Sequence, residues 1–179
     1  MIEKIDISQI VASHIKTLRS PGSSRVSGED IVVFFGLPIF SGVLYFLFSG
    51  PLPVENKIDE MLIAAFSIFA ALMLNIQVFL LGFRLSPTEV DRSQLGTEDR
   101  ALLERRSTQH QAFLSELFAN ISYAILLAMG LVFITLFCIF CQLHQLKIVK
   151  VVQFVLILHF ALTLLMVMKR VNALFIATR

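Results

Sequence analysis

Four long runs of apolar residues constrain this chain more than any other feature of its sequence. They cover residues 31–48, 61–83, 118–140 and 148–168. The first three contain no Asp, Glu, Lys or Arg, and the fourth contains only Lys150, close to its start. Each run is close to the ~20 residues with which a helix crosses the hydrocarbon core of a bilayer. The helices of a soluble bundle would each need a broad polar face, and these runs barely have one. The sequence therefore predicts an all-α integral membrane protein with four transmembrane helices.

The basic residues predict how these helices are oriented. Of the 15 Lys and Arg residues, 12 lie in the N-terminal arm, in the connector between the second and third runs, and in the C-terminal tail. The other three are Lys57, Lys147 and Lys150. Because basic loops are retained in the cytoplasm, we expect both termini and the connector to be cytoplasmic. The chain is predicted to be a multi-pass membrane protein, with the lipid bilayer as its surroundings.

These patterns divide the chain into five segments. Residues 1–28 are predicted to form a cytoplasmic N-terminal amphipathic helix and linker, and residues 29–84 the first transmembrane hairpin. Residues 85–117 are predicted to form a cytoplasmic helical connector, 118–168 the second hairpin, and 169–179 a cytoplasmic tail. Between Gly96 and Gly130 there is no helix-breaking Gly or Pro. One continuous helix of about 64 Å is therefore expected over residues 98–140.

The N-terminal arm carries one apolar face at helical spacing. Its interface residues are predicted to be Ile7, Ile10, Val11, His14 and Leu18. This face must cover something: the membrane surface, the cytoplasmic face of its own bundle, or the same helix of another subunit. Helices that lie on lipid usually carry large aromatic residues, and this one carries none. The composition favours packing against another helix.

Pro38 lies near the middle of the first run, with Gly36 and Gly42 on either side. A proline inside a helix removes one backbone hydrogen bond and kinks the helix. The kink is either a matter of shape alone or a hinge used in gating.

Two runs carry stripes of small and polar residues at helical spacing. In the second run the stripe is Ala64, Ser67, Ala71, Asn75, Val78 and Gly82. In the third run it is Asn120, Ala124, Ala128, Thr135, Cys138 and Gln142. Small residues allow helices in a membrane to approach closely, and an amide surrounded by lipid requires a partner. Both stripes are therefore predicted to be helix contacts.

The polar residues of the spans are the candidate functional residues. They are Asn75, Gln77, Asn120, Thr135, Gln142, Gln153, His159 and Thr163. His159 is the most informative, because ionisable residues within a membrane are rare and often functional. Two interpretations remain open for it: a hydrogen bond that holds neighbouring helices together, or a position that faces a conduit.

The sequence contains no pattern typical of an enzyme or a metal site. Hydrolase, phosphate-binding and zinc motifs are absent, and the four histidines lie in four different segments. Cys138 and Cys141 are three residues apart on an apolar helix and are interpreted as packing residues. We expect no catalytic activity, no cofactor and no metal. The connector residues Arg100, Arg105 and Arg106 are either a solvated face or a contact for a cytoplasmic ligand or partner.

The helix over residues 7–18, the four spans and the basic cytoplasmic face resemble an architecture found in bacterial anti-phage defence. This is the architecture of small multi-span membrane effectors such as the Hailong-type channel effector. The resemblance implies a membrane-disrupting channel that stays shut until infection. It also implies a partner enzyme that makes a nucleotide or oligonucleotide ligand.

Two functions follow from these observations. Four helices are too thin a unit to enclose a water path, so the polar residues of the spans would have to line a conduit between subunits. This favours a homo-oligomeric gated channel. The competing hypothesis is a non-conducting membrane anchor or sensor that recruits a soluble partner through the arm and the connector.

Overall fold

The computed structural model describes residues 7–18, 28–50, 57–85 and 97–177, with only the backbone described for residues 83–85, 97–106, 109–110, 144 and 173–177. Every regular element in these ranges is a helix. In chain order they are α1 (Ser8–Thr17), α2 (Gly28–Ile31), a π-helical turn (Val32–Gly36), α3 (Leu37–Phe48), α4 (Lys57–Leu85), α5 (Thr97–Phe140), a 3₁₀ turn (Leu143–Gln145) and α6 (Lys147–Ala177). The predicted all-α class is confirmed for this part of the chain.

Four helical stretches are long and apolar enough to cross a membrane. They are Gly28–Phe48, Lys57–Gly82, Gln111–Phe140 and Lys147–Asn172. Each covers one of the four apolar runs, except for the last residue of the second run, so the number of spans predicted from the sequence is confirmed. Large apolar side chains such as Phe48 and Phe140 are 81% and 89% exposed, as expected for residues that face lipid. The chain is a multi-pass membrane protein.

The first span is irregular where Pro38 predicts a break. Pro38 has no N–H group to donate to the carbonyl of Phe34, four residues earlier. The backbone widens into the π-helical turn just before the proline, and the N–H of Leu37 donates to the carbonyl of Val32, five residues earlier. The span continues as α3, so the proline causes a local rearrangement and not a helix end.

Gly42 permits close packing of α3 against α6. It is buried, and a Cβ atom at this position would overlap the side chain of Val155. Gly36 has ordinary helical dihedral angles, and a Cβ there would only touch Val32 within its own span. Gly42 thus has a packing role, and hinge motion around Pro38 stays a prediction.

The four spans do not pack in chain order. α4 packs along α5, α5 along α6, and α6 along α3. The first span is therefore next to the fourth, and the second is next to the third. The short helix α1 packs on α5 of its own chain. We call the end of the bundle that carries α1 the α1 end.

α5 is the longest helix and connects the predicted connector to the third span. Its 44 residues correspond to a rod of about 66 Å, which confirms the continuous helix predicted for residues 98–140. The stripe on its membrane half is buried from Asn120 to Cys138. Ala124 and Ala128 are 0% exposed, which is how small residues allow neighbouring helices to approach. Gln142 lies beyond the helix end and is exposed, with a left-handed backbone at φ 57°.

α4 packs against α5 with the face opposite to its stripe of small residues, which is the face predicted to make the contact. Its contacts with the core come from residues at helical spacing, the large Leu62, Phe66, Met73 and Leu80 together with Ala70. The stripe from Ala64 to Gly82 lies on the other side of the helix and is exposed throughout. Within a single chain, this stripe is therefore not buried against another helix, and its use as a helix contact stays a prediction. The physical reason is that the larger side chains fill the groove along α5 and bury more surface there.

An apolar layer crosses the middle of the bundle. It consists of Phe66 and Ala70 from α4, Ala124, Ala128 and Leu131 from α5, and Phe160 from α6. The rings of Phe66 and Phe160 meet edge to face, with centroids 5.0 Å apart. This layer separates two groups of polar side chains, one towards each end of the bundle.

Candidate functional site: two buried polar networks

The first group, which we call the α1-end network, comprises His14, Thr17, Asn120, Tyr123 and His159. His14 Nδ1 lies 2.8 Å from Asn120 Oδ1. The hydroxyl of Thr17 lies 2.7 Å from the same oxygen and 2.7 Å from the carbonyl oxygen of His14, and its single proton serves one of them at a time. His14 and Asn120 are both 0% exposed. A residue of the N-terminal arm is therefore part of the polar interior of the bundle.

Tyr123 connects His14 to His159. Its ring stacks on the imidazole of His14 with centroids 3.9 Å apart and planes 10° apart. Its hydroxyl lies 2.8 Å from His159 Nε2, and His159 Nδ1 lies 2.8 Å from the carbonyl oxygen of Phe34. Because a carbonyl oxygen only accepts, Nδ1 carries the proton, and Nε2 of the neutral ring accepts the hydroxyl proton of Tyr123.

The bond from His159 compensates for the proline in the first span. Phe34 is the residue whose carbonyl would be bonded by residue 38 in a regular α-helix, and Pro38 cannot donate. The imidazole of the fourth span donates to this carbonyl instead. Backbone groups freed by a proline within a membrane need such a partner, because lipid offers none. His159 thus holds the irregular turn of the first span against α6.

Arg170 fixes the end of α1. Its Nη2 donates to the carbonyl oxygen of Thr17 at 2.6 Å, and its Nη1 forms an ion pair with Glu116 at 2.6 Å. The last carbonyls of a helix have no partner within the helix, and a basic side chain is a favourable one. α1 is therefore held by α5 and α6 together. Thr163, one turn from His159 on α6, donates to the carbonyl of His159 and is fully buried.

The second group, the opposite-end network, is built around a buried ion pair. Lys150 Nζ lies 2.6 and 2.7 Å from the two carboxylate oxygens of Asp59, which is 0% exposed. The amide of Gln153 donates to Asp59 at 3.3 Å and to the hydroxyl of Thr135 at 3.2 Å. Near them, Lys147 donates to the carbonyl of Ser49 at 2.8 Å. These bonds join α4, α5, α6 and the end of α3.

The structure brings together five of the eight polar residues that the sequence singles out. Asn120, His159 and Thr163 lie at the α1 end, and Thr135 and Gln153 lie in the opposite-end network. Gln77 is half-buried and donates to Ser122 on α5 at 2.9 Å. Asn75 and Gln142 are exposed and belong to neither network. His159 bonds the backbone carbonyl of Phe34 and the hydroxyl of Tyr123, whereas Asn120 pairs with His14.

The predicted interface of α1 lies against the bundle of its own chain. His14 and Leu18 are buried, Ile10 and Val11 are half-buried, and Ile7 is 44% exposed. In the described structure α1 packs against α5 of its own chain. For the connector, Arg100, Arg105 and Arg106 lie on α5, but their side chains are outside the described part of the chain.

Several residues of the networks are not among the candidates from the sequence. Asp59 lies just before the second apolar run, and Lys150 lies close to the start of the fourth. Tyr123 and Thr17 carried no motif. Tyr123 follows Asn120 by three residues and therefore lies on the same face of α5, which is a signal that helical spacing could have given.

Among the described residues, no group of three or more His, Cys, Asp or Glu side chains is placed to hold a metal ion. Within the described ranges, two buried polar atoms at the α1 end have no hydrogen-bond partner, His14 Nε2 and Asn120 Nδ2.

The fold and its two networks define a class: a four-span, all-α membrane protein whose interior is polar near both ends and apolar between them. Comparison of the chain with protein-family models, with curated proteins and with solved structures finds no match.

Proposed function

We propose that this chain is the subunit of a homo-oligomeric gated channel of the bacterial inner membrane, and that the described conformation is closed. Within a single chain, the polar networks are separated by the apolar layer from Phe66 to Phe160. Most of their polar atoms are used in bonds between helices. A water path would therefore have to form between subunits, as the small size of the four-span unit also requires.

The observation that carries this proposal is the position of Asn75. It lies well inside the second span on the exposed stripe of α4, and its amide has no hydrogen-bond partner among the described residues. Lipid tails offer neither donors nor acceptors, so an amide in this position gains from a protein partner. An amide both donates and accepts, and a second copy would supply the matching group. Ala64, Ala71 and Gly82 on the same stripe would let the second helix approach closely.

α1 is the proposed gate element. It is a separate short helix, and its contacts reach the irregular turn of the first span through Tyr123 and His159. A helix of 10 residues is marginally stable alone in water, so α1 depends on these contacts. Release of α1 would remove the contact of His14 with Phe34 in the turn before Pro38. This turn is the place where the first span is easiest to deform.

The biological role is proposed from the resemblance to membrane effectors of anti-phage defence. In that role the channel would open on infection and depolarise the membrane. The trigger would be a nucleotide or oligonucleotide ligand, or a soluble cytoplasmic partner, and Arg100, Arg105 and Arg106 on the extended half of α5 are the proposed contact. Arginine is suited to this task because its planar guanidinium binds phosphate in a bidentate manner.

Conductance of the purified chain in planar bilayers tests the channel proposal. We expect discrete ion currents and an oligomer in mild detergent. Asn75→Leu should reduce both the oligomer and the current, because it removes the exposed amide. Gln77→Leu is the matched control: it removes an amide bonded within the chain to Ser122, so it should lower the stability of the subunit and leave the oligomer size unchanged. A monomer without current would contradict the proposal.

The extended half of α5 favours the second candidate, a membrane anchor or sensor. A rod of about 66 Å is roughly twice the ~30 Å of hydrocarbon that it has to cross, which leaves a long helical surface for a soluble partner. This candidate predicts an inserted protein that binds a cytoplasmic partner and carries no current in the same bilayers.

The proposed orientation can be tested with the native cysteines. Cys141 is exposed beyond the end of α5, whereas Cys138 is buried. If the termini are cytoplasmic, Cys141 faces the outside of the inner membrane. A membrane-impermeant maleimide added to spheroplasts should then label the wild-type chain but not Cys141→Ser. Labelling only after the membrane is permeabilised would show that the chain has the opposite orientation.

A further inference from the structure

We propose that acid releases α1 from the bundle, because proton uptake by His14 is incompatible with its docked position. The coupling of this release to gating rests on the proposed channel function; the release itself does not.

The argument begins with the surroundings of the imidazole. His14 is 0% exposed, its ring is covered by Tyr123, and its Nδ1 is bonded to Asn120. Its Nε2 is buried and has no hydrogen-bond partner within the described part of the chain. When Nδ1 donates to Asn120 Oδ1, Nε2 carries only a lone pair. A proton added there would create a buried charge and a buried N–H group without an acceptor, and both are unfavourable.

The charged and titratable groups around His14 add to this effect. Arg170, from α6, is a permanent cation bound to the carbonyl of Thr17, three residues along α1. His159, also from α6, reaches His14 through Tyr123 of α5. Glu116 of α5, an acid within the described part of the chain, is paired with Arg170 and half-exposed. Stacking on Tyr123 offers an imidazolium some cation–π attraction, but this is smaller than the loss of hydration.

Burial lowers the pKa of His14 from 6.5 to about 4; the bond to Asn120 opposes this shift, and His159 and Arg170 add to it. An undocked α1 would return the imidazole to its ordinary pKa near 6.5. Well above pH 6.5, neutral His14 therefore contributes its full free energy to the docking of α1. This contribution is lost as the pH falls from 6.5 towards 4. From these two values, the docking equilibrium should fall about tenfold between pH 7.5 and 5.5, and about thirtyfold by pH 5.

Hydrogen exchange of the full chain in lipid nanodiscs measures this release even when the undocked state is rare. An undocked α1 is too short to keep its helix, so its amides would exchange each time it leaves the bundle. After correction for the intrinsic effect of pH, the protection of α1 amides should fall about tenfold from pH 7.5 to 5.5. Protection in the middle of α6 should not change. Equal α1 protection at the two pH values would overturn the proposal.

Two variants identify the titrating group. His14→Gln keeps an amide that can bond to Asn120 but cannot take up a proton, so its α1 protection should not depend on pH in this range. A tenfold loss that persists in His14→Gln would overturn the proposal. If this variant leaves α1 unprotected at every pH, His159→Gln decides: the acid loss should persist there, and its disappearance would assign the effect to His159 and refute the role of His14.

Discussion

Lys150→Met should destabilise the bundle by about 3–5 kcal/mol, because it leaves the carboxylate of Asp59 buried without its countercharge. Asp59 is 0% exposed, and its remaining partner is the amide of Gln153 at 3.3 Å, which cannot balance a full charge. Reversible unfolding of the purified protein in mixed micelles gives the change in free energy.

The two residues of this ion pair differ in exposure, so the two single substitutions should differ in their effect on stability. Asp59→Asn should lower the free energy of unfolding less than Lys150→Met does. The side chain of Lys150 is 17% exposed and can reach water near the end of α6. The double variant Asp59→Asn, Lys150→Met should recover much of the loss of Lys150→Met. Lys147→Met is the matched control, because it removes a lysine that bonds only a backbone carbonyl and lies over the ring of Phe46. Equal losses for both lysines would show that the ion pair contributes little.

The second large effect is expected at His159. His159→Leu leaves two groups unpaired, the hydroxyl of Tyr123 and the carbonyl of Phe34. Interhelical hydrogen bonds in membranes contribute about 0.6–2 kcal/mol each, so the combined loss should be roughly 1–4 kcal/mol. Because Pro38 already denies Phe34 its helical partner, the first span should also detach more easily from α6. We expect a less stable subunit and a weaker assembly.

Two comparisons separate this structural role from a position in a conduit. Tyr123→Phe removes one of the two hydrogen bonds of His159 and should destabilise the subunit less than His159→Leu does. His159→Gln should recover part of the lost stability, because its amide can bond the carbonyl of Phe34. His159 is 6% exposed and both ring nitrogens are bonded, so the current per assembled channel should be unchanged in His159→Leu. A stable, fully assembled His159→Leu protein with an altered current would instead place His159 on the ion path.

Local features of the sequence were enough to predict the elements of this fold. Span length and the absence of charge predicted four membrane helices, and the lack of Gly or Pro before Gly130 predicted that α5 runs unbroken from connector to span. The steric properties of proline predicted the irregular turn at Pro38. The stripe on α5 also predicted its buried face, since small and polar residues coincide there with the helical period. Each of these depends on neighbours within a few turns of one chain segment.

Only the tertiary structure decided which faces and which distant residues meet. In a soluble helix, hydrophobicity marks the buried face, but in a membrane the lipid-facing and protein-facing residues are equally apolar. The stripe of α4 therefore predicted a contact on the face that the single chain leaves exposed. Partners such as His14 with Asn120, and Asp59 with Lys150, lie 106 and 91 residues apart. Their pairing follows from the packing order of the spans and from the rotation of each helix about its axis. Helical spacing in the sequence predicts neither the packing order nor the rotation, because both result from how four nearly uniform apolar surfaces pack together.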